Sequence, residues 1–132
     1  MDLALDTGLL KTLGFRFDEA GPDRVRIAWT VDDGQLQPAG VVHGGVYSAV
    51  VETAASVGAQ LWLADRGRVV GVSNQTDFLR QQRSGARLTA EGVPIHRGRS
   101  QQLWLVEVRD EDRRLVARGQ VRLQNLTEPA PG

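Results

Sequence analysis

One segment limits what this chain can fold into. From Gly44 to Ala64 the sequence is apolar on nearly every side and rich in alanine. Its length favours a helix over a strand, and a helix hydrophobic all round must be buried rather than lie on a surface. The segment matches the roughly 20 residues that cross a bilayer. Ser48, Glu52, Thr53, Ser56 and Gln60 interrupt it, however, and no second span exists. A carboxylate at mid-bilayer costs about 2.5–3.5 kcal/mol, so a core helix is the better reading and no membrane partner is expected.

A buried helix needs something wrapped around it, and 132 residues allow one domain to do this. The expected domain covers residues 1–126, with a disordered tail over 127–132 that contains Pro129, Pro131 and Gly132. Sixteen basic residues balance sixteen acidic ones. No global positive field exists to draw a nucleic acid or an anionic membrane. Cysteine is absent, which removes disulfide scaffolds, thiolate zinc sites and thiol nucleophiles. Only His43 and His96 supply imidazoles, so a multi-histidine metal centre cannot be built within one chain, and no metal is expected. Asp2 and Asp6 stand where a signal peptide needs basic residues, so a cytoplasmic protein is expected.

The flanking sequence reads mainly as strands. A short helix over 6–13 places Leu9, Leu10 and Leu13 together and stops at Gly14. Phe15 and Phe17 alternate with polar residues as a short strand. Val25, Ile27, Trp29 and Val31 alternate as a half-buried one. A loop with Gly and Pro38 covers 32–42, and after the long helix Gly67 is expected as a left-handed cap. Strands follow over 69–79, 87–95, 101–108 and 115–123, with turns at 97–99 and 110–113. The fold class is therefore α+β, a long central helix wrapped by a curved antiparallel sheet. Such a sheet covers one side of the helix; the other side and the sheet edges invite a second subunit. Trp62 and Trp104 read as core residues.

The few polar positions on the helix are the informative ones. Gly45, Ser48, Glu52 and Ser56 are spaced three, four and four apart. At about 100° per residue they share one face. A carboxylate in an apolar wall is costly unless paired. Either Glu52 is neutralised by an arginine from a strand, or it is held for chemistry as a general base or nucleophile. At the helix start, His43-Gly44-Gly45 sets two glycines where backbone N–H groups lack intrahelical partners and carry the positive end of the dipole. A carbonyl could approach closely there and be polarised. Glu52 lies seven residues beyond Gly45, about 10 Å along the axis. It cannot easily serve a carbonyl held by its own helix start, but it could serve one held by an antiparallel helix of a second subunit. A two-fold dimer would then carry two composite sites.

The stretch Gln37-Pro38-Ala39-Gly40-Val41-Val42-His43-Gly44-Gly45, followed by Glu52 and Ser56, resembles the hotdog-fold acyl-CoA thioesterases. Within them it is most similar to the PaaI-like branch and the Arthrobacter-type 4-hydroxybenzoyl-CoA thioesterases. The likeness spans about residues 6 to 125, nearly all of the chain. It implies that Glu52 is the catalytic carboxylate and that the Gly44 N–H polarises the thioester carbonyl. It also implies that Gln37 and His43 orient the thioester or water, that Ser56 supports the carboxylate or the water, and that Thr53 sits beside the acyl pocket, with Gly45 a further substrate-binding candidate. Val72 to Arg80 resembles the strand that ends near CoA, and Arg80, Arg83, Arg97 and Arg99 are candidates for its phosphates. The family implies a homodimer with shared sites, commonly paired into a homotetramer, and no cofactor beyond the coenzyme A of the substrate.

Two other functions use the same residues. A hydratase or dehydratase of this fold would want a histidine base inside the helix, and none is there. A non-catalytic acyl-thioester binding module would keep the helix start but would not need Glu52. Thiol release from a panel of acyl-CoAs separates the three.

Overall fold

A computed structural model describes residues 3–127. The element order is α1 (Gly8–Thr12), β1 (Arg16–Ala20), β2 (Val25–Thr30), α2 (Gly44–Leu63), β3 (Gly67–Phe78), β4 (Arg87–Arg97), β5 (Gln101–Arg109) and β6 (Leu115–Thr127). All pairings are antiparallel, in one six-stranded sheet of order β1-β2-β4-β5-β6-β3. Breaks in register at Phe17/Glu19, Gly71/Ser73, Pro94/His96 and Val108/Arg109 are places where the ladder bends. Two strands precede the long helix in the chain, as the alternation of Phe15 to Phe17 and of Val25 to Val31 leads one to expect, and the 32–42 loop contains a 3-10 turn at Asp33–Gln35. No helix of the described residues is long and apolar enough to cross a membrane.

The sheet closes around one side of α2. Val25, Ile27, Trp29, Leu88, Ala90, Trp104, Val106, Val121 and Leu123 point inward and are buried. Val46, Val50, Val51, Ala54, Ala55 and Ala59 meet them from the helix. Small residues set how close the layers come. A β-carbon on Gly58 would fall 2.5 Å from the Trp104 ring, so the bare helix backbone there makes room for the largest core side chain. The expectation of burial all round holds for this half only: Ser48, Ala49, Glu52, Thr53 and Ser56 are half-buried.

Polar core groups tie down both helix ends. At the start, buried Gln35 accepts from Trp29 Nε1 (3.1 Å), donates to the Leu13 carbonyl (2.9 Å) and takes the His43 N–H on its own carbonyl (2.9 Å). At the end, Gln102 donates to Ala59 O (3.2 Å) and Asn125 Oδ1 (2.9 Å) while accepting from Trp104 Nε1 (2.9 Å). These bonds satisfy groups that would otherwise be costly to bury.

Three details differ from the sequence reading. Gly67 is not the left-handed cap: the chain leaves the helix on Ala64 at φ 55°, and Gly67 is extended at φ 164°. Its missing side chain instead lets the Leu126 backbone close on it in the β3–β6 ladder. Trp62 is not core but half-buried, with the guanidinium groups of Arg66 and Arg97 at 4.5 and 5.6 Å from its ring centre. The last strand runs on through Thr127, which pairs with Gly67; the rest of the expected tail, 128–132, lies outside the described residues.

Candidate active site

The start of α2 is built by a tight loop. Gln37 N–H donates to Val41 O (2.8 Å), and Gly40 N–H returns to Gln37 O (2.9 Å) with Gly40 at φ +82°. The Gln37 side-chain oxygen accepts from the Ala39 N–H, which leaves its Nε2 donors for the cleft that the residue lines. That cleft has a volume of about 380 Å³ and is bordered by Gly44, Tyr47, Phe78 and Arg80 as well.

His43 is the N-cap of α2. Its Nδ1 accepts from the Gly45 N–H at 2.8 Å, which fixes the neutral ring as the Nε2–H tautomer. The His43 carbonyl accepts the Val46 N–H at 2.9 Å. Two of the orphan donors of this helix end are thereby taken, Gly45's among them. The Gly44 N–H has no partner among the described residues. Gly44 also has a steric reason to be glycine, since any β-carbon would collide with the Phe78 ring. The helix end thus presents one backbone donor, reinforced by the dipole of a 20-residue helix.

Glu52 sits two turns further along. No arginine or lysine pairs with it among the described residues, so the ion-pair alternative is not the one adopted. Its carboxylate instead takes neutral donors: Asn74 Nδ2 at 3.3 Å on Oε1 and Ser56 Oγ at 3.4 Å on Oε2. Asn74 is oriented in turn by Thr76 Oγ1, which donates to its Oδ1 at 2.7 Å, and it also donates to the Ser48 carbonyl at 3.0 Å. Glu52 is therefore a held carboxylate with no counter-charge among the described residues. Thr53 turns its hydroxyl back to Ala49 O (2.7 Å) on the same half-buried face.

The four candidate arginines divide between the ends of the molecule. Arg80 borders the cleft, and Arg83 Nη1 lies 3.5 Å from where a Gly40 β-carbon would be. Arg97 donates to Asp23 Oδ1 (2.8 Å) and Pro22 O (2.9 Å), near Trp62 at the far end of α2. Arg99 is exposed in the β4–β5 turn, where its carbonyl accepts from Asn125. A second hollow of about 390 Å³ lies over the outer sheet face at His96, Gln101, Leu103 and Arg122, but none of its lining residues is acidic. Among the described residues no group of three His, Cys, Asp or Glu side chains could hold a metal ion.

Asn74, Gly71, Gln35 and Tyr47 belong to this architecture but were not singled out from the sequence. For Asn74 a signal was present. Strand alternation puts 74, 76 and 78 on one side of β3, the side that carries Phe78 and turns to the helix.

Comparison with known proteins identifies the family. Residues 39–117 match the Thioesterase superfamily. A Mycobacterium tuberculosis protein provisionally named an esterase is 55% identical over 118 residues, covering 86% of this chain and 83% of its own length. The 1,4-dihydroxy-2-naphthoyl-CoA hydrolase of Escherichia coli is 33% identical over 103 residues, covering 78% and 75%. Among solved structures, S. sahachiroi AziG superposes with a TM-score of 0.90 at 51% identity, covering 92% of this chain and 98% of that one. The phenylacetic acid degradation protein PaaI of Thermus thermophilus, solved as a mutant, does so at 0.82 and 27% identity, covering 89% and 97%. A family match over more than half of the sequence, with relatives of this identity sharing the fold, makes the chain a member of the thioesterase superfamily, a thioester hydrolase on the hotdog fold.

Proposed function

We propose that the enzyme hydrolyses acyl-CoA thioesters at sites shared by two subunits, with the Gly44 N–H of one and Glu52 of the other. The carrying observation is the Glu52 carboxylate, held by Asn74 and Ser56 with no cation paired to it among the described residues. Gly44 and Glu52 of one chain are eight residues apart on one helix, about 12 Å of axial rise. A reacting carbon must lie about 3–3.5 Å from its nucleophile. One helix cannot supply both groups to one carbonyl; two antiparallel helices can.

The dimer has an edge to form on. β3 ends the sheet with twelve residues and no second neighbour, and Val72 at its bulge is 52% exposed. Unpaired ladder groups on such an edge favour another strand. Pairing there would bring the half-buried face of α2 towards its twin. Assembly of two dimers into a tetramer is part of the same proposal.

In the reaction, the Gly44 N–H stabilises the oxyanion that develops on the thioester carbonyl; losing a donor of this kind typically costs about 3–4 kcal/mol. Glu52 takes a proton from water while the oxygen adds to the carbonyl carbon. The intermediate collapses, the carbon–sulfur bond breaks, and the proton returns to the CoA thiolate. Alternatively the carboxylate adds first, the CoA thiolate leaves to give a mixed anhydride and takes up a proton, and water then attacks the Glu52 carbonyl carbon, so that the acid departs with the former Glu52 oxygen. A single turnover in heavy-oxygen water detects this second route, because the acid released then carries an unlabelled oxygen from Glu52 while the label enters the enzyme. The His43 Nε2–H and the Gln37 amide are proposed to orient the thioester or water. Arg80 and Arg83 are the arginines proposed for the CoA phosphates. The E. coli relative's name suggests an aryl acyl group, which the cleft volume admits. Acting on CoA thioesters, the enzyme is proposed to work in the cytoplasm.

The test is release of free thiol from aryl- and medium-chain acyl-CoAs by the wild type and by Glu52→Gln. The wild type should turn over, and the variant should lose roughly 100- to 10,000-fold in rate while keeping its assembly. Near-wild-type hydrolysis by the variant would remove Glu52 from the chemistry. Binding without any turnover by the wild type would favour a binding module.

A further inference from the structure

Asn74 lies on the edge strand β3 and is exposed, so water could serve its amide, yet the protein serves it instead. Its Nδ2 donates to the Ser48 carbonyl at 3.0 Å and to Glu52 Oε1 at 3.3 Å. A backbone carbonyl only accepts, so the Ser48 bond fixes which end of the amide is nitrogen. The Oδ1 end then faces Thr76, whose hydroxyl must donate, at 2.7 Å. Thr76 itself makes no hydrogen bond to Glu52 and does not line the cleft at the start of α2. It is half-buried, while its neighbours Gln75 and Asp77 are exposed. On β6, its register partner is Gly119, where a β-carbon would fall 2.7 Å from the Thr76 hydroxyl and 2.6 Å from Val51. The bare Gly119 backbone leaves the room in which the hydroxyl sits. A row thus runs from Gly119 through Thr76 and Asn74 to the carboxylate on α2.

We propose that Thr76 is a positioning residue for the hydrolysis: its hydroxyl locks the Asn74 amide, and the locked amide holds the Glu52 carboxylate in its reactive orientation. This rests on reading Glu52 as the catalytic carboxylate. Among the described residues, Asn74 is the one hydrogen-bonding group that reaches Glu52 from the sheet; Ser56, at 3.4 Å, comes from the same helix one turn on. Without the Thr76 donor, Asn74 Oδ1 loses its protein partner, and the amide is free to turn towards water and release Oε1. The carboxylate then samples orientations that do not meet the substrate. Because Thr76 lies outside the cleft, the loss falls on the chemical step and not on binding.

The experiment is a double-mutant cycle, read as kcat and KM for thiol release from aryl- and medium-chain acyl-CoAs, benzoyl-CoA and octanoyl-CoA among them. Thr76→Val keeps the branched shape and removes the donor, whereas Thr76→Ser keeps the donor. Thr76→Val should lose roughly tenfold in kcat with no more than about a twofold change in KM, and Thr76→Ser should recover most of that loss. Asn74→Leu should lose about 100-fold in kcat. Adding Thr76→Val to Asn74→Leu should cost nothing more, because the hydroxyl then has no amide to hold. A merely structural Thr76 would instead lower kcat by the same factor in both backgrounds. Wild-type kcat in Thr76→Val, no recovery in Thr76→Ser, or additive losses in the double variant each overturn the inference while the thioesterase reading stands. If Thr76→Val does not assemble, Thr76→Ala carries the same comparison. Near-wild-type hydrolysis by Glu52→Gln, or no thiol release by the wild type, overturns the reading of the site, and the inference with it.

Discussion

The carboxylate of Glu52 occupies the space that a β-carbon on Gly71 would fill. Gly71 precedes the β3 bulge, and its bare backbone lets an acidic side chain from α2 lie flat against the edge strand. The contact involves the movable end of Glu52, not backbone. Gly71→Ala is therefore expected to fold with little change in melting temperature yet displace the carboxylate. A shift of about 1 Å at a reacting group costs on the order of 100-fold. The check is kcat beside a thermal melt; a variant with full kcat would mean that the position of Glu52 against β3 is immaterial.

Sharing of the site can be tested by mixing. Glu52→Gln and His43→Ala should each be inactive alone. If Glu52 and the helix start come from different subunits, a dissociated and reassociated equal mixture holds mixed dimers with one intact site each. Roughly a quarter of wild-type activity should return under two-fold symmetry. No recovery, with subunit exchange verified by mass spectrometry of differently tagged chains, would place both groups in one subunit.

Gly58 is a helix-interior glycine, where alanine ordinarily stabilises by about 0.8–1.0 kcal/mol. Here the opposite is expected, because the Trp104 ring already lies within 2.5 Å of the new β-carbon and is fully buried. Overpacking of this kind costs about 1–3 kcal/mol. Denaturant unfolding of Gly58→Ala should show a lower midpoint, and a higher one would refute the packing account.

Tyr47 also gives an alkaline signature. Its phenol ionises near 10 when unfolded and is pushed up to about 12 by burial in the native chain. Between those values the folded form holds a proton that the unfolded form has lost. The contribution to stability is thus complete below pH 10 and declines as pH rises through 12. As the only tyrosine, it can be followed by tyrosinate absorbance without interference from a second one. The titration midpoint should lie well above that of free tyrosine, and the alkaline loss of stability should be smaller in Tyr47→Phe. A midpoint at the ordinary value would contradict the burial.

Local pattern along the chain was enough to specify the central helix, the strands around it and the polar stripe of Ser48, Glu52 and Ser56. Apolar periodicity and turn residues are local signals, and a 20-residue apolar segment has few ways to be buried. It also marked the glycines at the helix start. Only the tertiary structure decided which of their amides is free, because His43 folds back onto Gly45 and leaves Gly44 unpaired. Likewise, only the fold set Asn74 beside Glu52, Trp104 over Gly58 and the Tyr47 hydroxyl in a place without a partner. Each of these joins residues from 22 to 46 positions apart or turns on side-chain direction. Bond partners and free volume are properties of packed neighbours, and periodicity along a chain carries no record of which neighbour arrives.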